Sequence, residues 1–598
     1  MTGSGPPGGA TQPGGRHHRV ALGVVMALAL GLRLWGLGFG LPNVHCRPDE
    51  STLVNKAVAI AAGSLDPHFF NYPSLQFYLL AVLYGAAYVL GRVAGVISGP
   101  GEAQRLFITE PQVFYMVARA VTAVTGTAAV ALVYAIGRRL GSRRAGLLAA
   151  LFLSVAFLHV RDSHFATVDV PATTYALAGC ALALRYRDRP SYPLLCAAAA
   201  CFGLAASTKY NLVLLGSVLL AAIWLGDRRQ AWRATLVAGS TMAAAFVVTT
   251  PYAVLSFGTF WRDVSYERSH FAAGHAGFSP GPGLGWLYHL RVSLRYGLGV
   301  PLLVAGMAGA VRMAWRHKRG DVAVVTGLLV YLAVAGSGQT VFARYALPMV
   351  PLLCVTAAML VDQFGRGAVL LAIALAAPAA AASIGFDRLV SRTDTRVLAA
   401  RWLESRVHDG ALVALCGSDY GYPELRLSRE WLEREAADQS AAGLGARRLQ
   451  AALQLEGYPP APSYRVLEVH PEGFPPRRAV RAVSDLDSLR REGVEWVVVH
   501  EHPLEYSRPD TALVRQLEAE AVLCARLDPF VKGAAAPAYD PQDAFYVPLG
   551  GFAAVRRPGP AISVYSLRTD QRCGARQLGV DPVPSADREA QEPGARYH

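Results

Sequence analysis

The chain lacks a cysteine framework. Its 598 residues hold eight cysteines, none in a CxxC pair or at a Cys/His ligand spacing, which excludes a zinc ribbon and a disulfide-stapled scaffold. Cys180, Cys196, Cys201 and Cys354 lie inside apolar blocks and read as small core residues. Cys46, Cys416, Cys524 and Cys573 are scattered, and only a Cys416–Cys524 bridge in an exported tail stays open. A small-x-small cleavage site is missing after the first apolar run, which follows Arg16, His17, His18 and Arg19. That run is therefore expected to be a first membrane helix with its N-terminus inside. Basic stretches interleaved with stacking aromatics are absent too, so the net charge of +14 does not point to nucleic acid. No charge pair stands inside the apolar blocks and no repeat is clear. Both absences argue against a non-enzymatic flippase or transporter, the alternative reading, which would hold polar groups at the bilayer midplane.

What is present is apolar sequence, 53% of the chain. It comes in blocks of roughly 15–22 residues, the length a hydrocarbon core of about 30 Å requires of a helix. Between the blocks stand Arg138-Arg139 with Arg143-Arg144, Arg185 to Arg189, Arg228-Arg229 with Arg233, and Arg312 to Arg319. Read as cytoplasmic turns, these clusters give spans at 20–41, 114–137, 145–160, 170–185, 192–207, 210–226, 234–256, 293–311, 321–336, 343–361 and 366–384, about eleven helices. The apolar stretch 73–97 does not fit that alternation. It is assigned to an external loop, 42–113, with its apolar helix lying at the outer interface or dipping in without crossing. A second external loop, 257–292, is rich in Gly, His and aromatic residues. Residues 1–18 are expected to be unstructured, and 19–386 forms the membrane domain. The tail, 387–598, carries short β-branched runs at Ala411–Cys416, Tyr464–Val469, Glu495–His500 and Ile562–Leu567, alternating with amphipathic stretches at 395–407 and 509–521. The fold class is thus an α-helical polytopic membrane protein with a C-terminal extracytoplasmic α/β domain.

The residues able to do chemistry gather at one face. His45-Cys46-Arg47-Pro48-Asp49-Glu50 follows the first span, and an Asp-Glu pair there either caps a helix or serves as a base held at the membrane surface. Arg161-Asp162-Ser163-His164 and Asp169-Val170-Pro171 fill a tight external turn. Lys209-Tyr210 and Arg344-Tyr345 stand at the same ends of spans, where a cation snorkels or holds an anion. His68 and Tyr72, in the external loop, are candidates for touching a phosphate or a sugar.

In order along the chain, these residues resemble a known family. Asp49-Glu50 in a large external loop is followed by Tyr72-Pro73-Ser74-Leu75 opening an apolar helix. Next come Arg119, a span ending Gly137-Arg138-Arg139-Leu140, the Asp169 turn, and Arg344-Tyr345-x-x-Pro348. The pattern covers 19–386 and is similar to the GT-C fold, phospholipid-carrier-dependent glycosyltransferases of family 39, the protein O-mannosyltransferase and aminoarabinose-transferase relatives. The family often has Pro-Pro or His-Pro where this chain has Tyr72-Pro73-Ser74. The resemblance implies an inverting transfer from a polyprenyl- or dolichyl-phosphate sugar to a protein, lipid or glycan acceptor, on the external face of the plasma (inner) membrane. One carboxylate suffices as base, because a phosphate leaving group needs positive charge rather than a general acid. Asp49 is the expected base. Glu50 and Asp169 would orient the acceptor or hold a divalent cation, which some relatives use. Arg344, Tyr345 and Lys209, with Tyr72 and His68, would hold the donor, and Asp162 and His164 are accessory. A receptor-like scaffold binding a wall partner through the tail is the remaining alternative.

Overall fold

The computed structural model describes residues 14–226, 228–275, 280–281, 283–441, 447–469, 485–504, 509–568 and 573. Of the N-terminal stretch expected to be unstructured, 1–13 lies outside the described residues. Residues 14–18 instead open the first helix, α1 (Gly14–Leu34). The end of the tail, 574–598, also lies outside the described residues.

After α1 come α2 (Pro48–Ala61), α3 (Leu75–Val93), α4 (Pro100–Thr109), α5 (Gln112–Leu140), α6 (Arg143–Val155), α7 (Phe157–Asp162), α8 (Asp169–Asp188) and α9 (Tyr192–Ala206). Local chemistry sets their ends. Pro48 sits in the first turn of α2, where a missing N–H costs nothing. The Ser142 hydroxyl accepts from Ala145 N at 3.0 Å and caps α6, while Arg138 and Arg139 close α5 against its dipole. α8 packs on α5 and α9 and is buried nearly all round from Asp169 to Leu184, as expected of a helix apolar on every face. Small residues let the helices approach. A Cβ on Gly309 would stand 2.0 Å from Thr356 O, and the Thr356 hydroxyl donates to Gly306 O at 2.7 Å across the same contact.

Among the described residues, five helical stretches are long and apolar enough to cross a membrane: His17–Leu34, Leu75–Val93, Gln112–Leu140, Arg228–Thr249 and the run Met349–Arg406. That run is broken at Gly365 (φ 55°, ψ −118°). A bent pair, Gly285–Leu298 with Val300–Arg316, turns through 114° and makes six if counted as one span. The chain is thus a multi-pass membrane protein, but its helices do not reproduce the eleven even blocks read from hydropathy. The block at 145–160 is interrupted at Ala156 (ψ 110°). The block at 293–311 is interrupted at Gly299, whose φ of +73° only glycine takes readily. The stretch assigned to the interface, α3, is itself of spanning length and composition. It packs along α2 and exposes Val82, Leu90 and Val93 on its other side.

The tail holds a five-stranded sheet of order β2-β1-β3-β5-β4. Its strands are β1 (Leu412–Cys416), β2 (Arg465–Val469), β3 (Trp496–Glu501), β4 (Val522–Leu527) and β5 (Ala561–Ser566). β1 runs parallel to β2 and β3, with Val413 opposite Trp496, and β5 runs antiparallel to β3 and β4. Period-two alternation sorts the side chains. Val413, Leu415, Val498 and Val564 pack with Ala399 and Leu403 of the helix Thr395–Arg406. Leu412, Ala414, Val497 and Val499 pack with Leu513 and Leu517 of the helix Thr511–Glu520 on the other face. Both faces are covered, so β1 and β5 are buried throughout. The disulfide joins Cys524 to Cys573, and Cys416 is free and buried, so the Cys416–Cys524 pairing is not formed.

Candidate active site

Asp49 lies in the first turn of α2 with its side chain 30% exposed, and its Oδ2 stands 3.2 Å from Arg344 Nη2 and 3.5 Å from Arg47 Nη2. Arg344 sits on a single 3-10 turn, Ala343–Ala346, that leads into the helix Met349–Val361. Asp49, Tyr72, Thr167 and Asp169 line one cleft. The negative charge of Asp49, with burial, pushes the Tyr72 phenol well above its ordinary range. Asp169 opens α8 and pairs with Lys209 Nζ at 2.5 Å. That ammonium also stands 4.6 Å from the centre of the Tyr345 ring. Arg344 Nη1 has no hydrogen-bond partner among the described residues, although it faces Asp543 Oδ2 at 3.1 Å. The edge of Arg344 that meets Asp49 thus joins a buried guanidinium to a partly open carboxylate, a pairing in which an incoming anion can compete for the cation.

Glu50, the neighbour of Asp49, points elsewhere. Arg119 Nε and Nη2 donate to its Oε1 and Oε2 at 2.8 and 2.6 Å, and Ala166 N donates to Oε1 at 2.7 Å. Arg119 also donates to the Leu37 and Phe39 carbonyls at 2.8 Å. Both partners are fully buried. Glu50 is thus a clamp between α2, α5 and the turn before α8, and its expected part in orienting an acceptor is corrected. Glu50→Gln is expected to cost about 3–5 kcal/mol, because it strands a buried cation. The yield of folded protein in detergent should fall, while the folded remainder keeps wild-type donor affinity. Lost turnover at wild-type yield and wild-type donor affinity would return Glu50 to orienting the acceptor.

Other expectations are also revised. The His68 side chain is 71% exposed and pairs with Asp66 at 3.2 Å, away from the cleft lining. His164 is buried, with its ring nitrogens 2.9 Å from the Val160 and Trp35 carbonyls and Nε2 3.4 Å from Asp387. It belongs to a buried polar set with Asp387, while nearby Arg33 donates to His159 Nδ1 at 2.9 Å. Arg33 is a single buried cation within the first apolar block. Asp162 is buried beside Arg161 at 3.9 Å, and neither of its oxygens has a hydrogen-bond partner among the described residues. A cation at Asp49, Glu50 and Asp169 does not fit. Glu50 is saturated by Arg119, Asp49 faces two arginines and Asp169 faces Lys209. Among the described residues no three metal-binding side chains converge.

The residue missed by sequence reasoning is Asp543, in the tail. Its Oδ1 accepts from Arg47 Nη1 at 2.6 Å, and its Oδ2 stands 3.1 Å from both Arg161 Nη2 and Arg344 Nη1. Burial works against its charge, but the three guanidiniums outweigh it and hold the carboxyl below the usual carboxylate range. Asp540, three residues earlier, goes the other way: burial and the charge of Asp543 raise it. Nothing local in Tyr539-Asp540-Pro541-Gln542-Asp543 marks it as the partner of arginines that stand far back along the chain, up to 496 positions away.

Residues 112–254 match the family model described as dolichyl-phosphate-mannose-protein mannosyltransferase. No curated protein sequence matches the chain. Among solved structures, ArnT from Cupriavidus metallidurans in the apo state aligns with a TM-score of 0.51 at 14% identity, covering 92% of this chain and 98% of that one. ArnT bound to undecaprenyl phosphate aligns at 0.44 and 18% identity over 64% and 72%. The apo oligosaccharyltransferase of Archaeoglobus fulgidus aligns at 0.47 and 14% over 81% and 69%. The fold is thus that of ArnT from end to end, and the match to the mannosyltransferase family falls on the helices that carry Asp169 and lead to Lys209.

Proposed function

We propose that the protein moves a sugar from a polyprenyl-phosphate donor to an acceptor by a single inverting displacement, with Asp49 as general base. The observation that carries this reading is the ion pair, 3.2 Å long, of Arg344 with Asp49, a residue that lines the same small cleft as Tyr72 and Asp169. The donor class follows the description of the family matched over 112–254. In the reaction, the donor phosphate takes Arg344 as its partner and Asp49 is released to the acceptor. The acceptor hydroxyl gives its proton to the Asp49 carboxylate as its oxygen bonds to the anomeric carbon. The bond from that carbon to the phosphate oxygen breaks on the opposite face of the sugar. The departing lipid monophosphate is stabilised by Arg344 and Lys209, so no second carboxylic acid is required. Purified protein offered a panel of polyprenyl-phosphate sugars should release polyprenyl phosphate and an acceptor heavier by one sugar of inverted anomeric configuration. Retained configuration would overturn the single displacement.

We place the cleft and the tail on the outer face of the plasma (inner) membrane. α8 supports this. It has Asp169 at its first residue and Arg185 and Arg187 in its last turn, and its 20 residues span about 30 Å, the thickness of a hydrocarbon core. The arginines would then be inside. A Cys524–Cys573 disulfide also suits an oxidising compartment. Ser98→Cys and Gln450→Cys, both at exposed positions, should each react with an impermeant maleimide in intact cells. Labelling of either only after permeabilisation would overturn this orientation.

A further inference from the structure

The tail does not stand apart from the membrane helices. Residues 539–548 form a loop closed at its base, where Ala538 pairs with Gly550, and the loop is sewn to the chain just ahead of Arg344. Asp540 Oδ2 accepts from Ala343 N and Gln542 Oε1 from Val341 N, each at 2.6 Å, and Gln542 Nε2 donates to Gln339 O at 3.1 Å. Phe545 seats the loop from the other side. Its ring centre lies 4.9 Å from the Arg47 guanidinium and 5.1 Å from that of Arg161.

We propose that Asp543 is a positioning residue for the donor site: the tail loop inserts its carboxylate between Arg47, Arg161 and Arg344 and so holds the Arg344 guanidinium against Asp49. The inference rests on the donor reading above. Arg47 and Arg161 are 0% and 1% exposed and Arg344 8%. Arg344 bridges the buried carboxylate of Asp543 to the cleft carboxylate of Asp49. Three guanidiniums converge on Asp543, and like charges this close stay together only around an anion. An asparagine there offers one acceptor oxygen, and its NH₂ group meets arginine N–H donors. Arg344 is the least buried of the three, so it is the one that would leave.

The test is binding of undecaprenyl phosphate to the purified full-length protein. Asp543→Asn should weaken it about tenfold or more, the loss of a charge-assisted contact at Arg344. In an Arg344→Ala background the same change should add nothing, because the two residues act as one unit. A merely structural role would lower the yield of folded protein and leave the affinity of the folded fraction alone. Where Asp543→Asn fails to fold, the double variant Asp543→Asn with Arg161→Gln removes one charge of each sign, yet still leaves Arg344 unheld. It should remain weak. Wild-type or tighter affinity in the folded single or double variant would overturn the proposal, as would additive losses with Arg344→Ala. If wild-type protein itself fails to bind undecaprenyl phosphate, the donor reading falls and this one with it.

Discussion

Asp49→Asn is expected to cut sugar transfer by about 10²–10⁴, the usual cost of losing a general base, while folding and donor binding persist. The local structure makes this separation clean. The residue before Pro48, Arg47, is the N-cap of α2 and makes no side-chain capping bond, so Asp49 is not the cap that sequence reasoning weighed as an alternative. Its negative charge in the first turn favours the helix dipole by only about 0.3–1 kcal/mol, and asparagine matches its shape. What the amide loses is the lone-pair basicity that takes the acceptor proton. It also releases Arg344 from its 3.2 Å pairing, so donor affinity should hold or rise. Turnover is measured with a matched lipid-phosphate sugar and acceptor, and detergent-extracted yield serves as the folding control. Turnover within about threefold of wild type would reject Asp49 as the base, and Asp169, across the same cleft, would take its place as candidate.

Arg344→Ala should weaken donor binding by about 10–150-fold, from the roughly 1.5–3 kcal/mol carried by a hydrogen bond to a charged group. Arg344→Lys should recover part of it, since an ammonium supplies the charge but not the two parallel N–H groups of a guanidinium. The fold should survive the alanine change, because Asp543 keeps Arg47 at 2.6 Å and Arg161 at 3.1 Å. Titration with undecaprenyl phosphate gives the affinities. An unchanged dissociation constant in Arg344→Ala would assign Arg344 to holding the tail loop alone.

Periodicity and local chemistry carried much of the architecture. The β-branched runs of the tail are strands because alternate residues serve two cores, as Val413 and Ala414 do. β4 escaped notice because it is an edge strand whose Val522 and Leu523 are exposed, so no apolar alternation marks it. Hydropathy found the apolar blocks but not their breaks. At Ala156 and Gly299 a single backbone conformation divides a block that reads as continuous. Within the site, Asp49, Tyr72, Asp169, Lys209 and Arg344 were all visible as polar residues at the ends of apolar stretches. Separating Asp49 from Glu50 was not possible from composition. Consecutive helix residues point about 100° apart, so one meets the cleft and the other meets Arg119. Asp543 was invisible for a different reason, since its meaning comes wholly from arginines far away in sequence.

That distance bears on how the protein is made. Arg47 and its counterion Asp543 are 496 positions apart. At roughly 5–20 residues per second of synthesis, the carboxylate follows the arginine by roughly 25–100 seconds. Over that interval the helices are made one after another, and Arg47, then Arg161, and only in its last part Arg344, lack the anion that gathers them. A nascent chain, or one terminated before residue 543, therefore carries an unassembled cation cluster. Gathering of the three arginines thus waits until translation has passed Asp543.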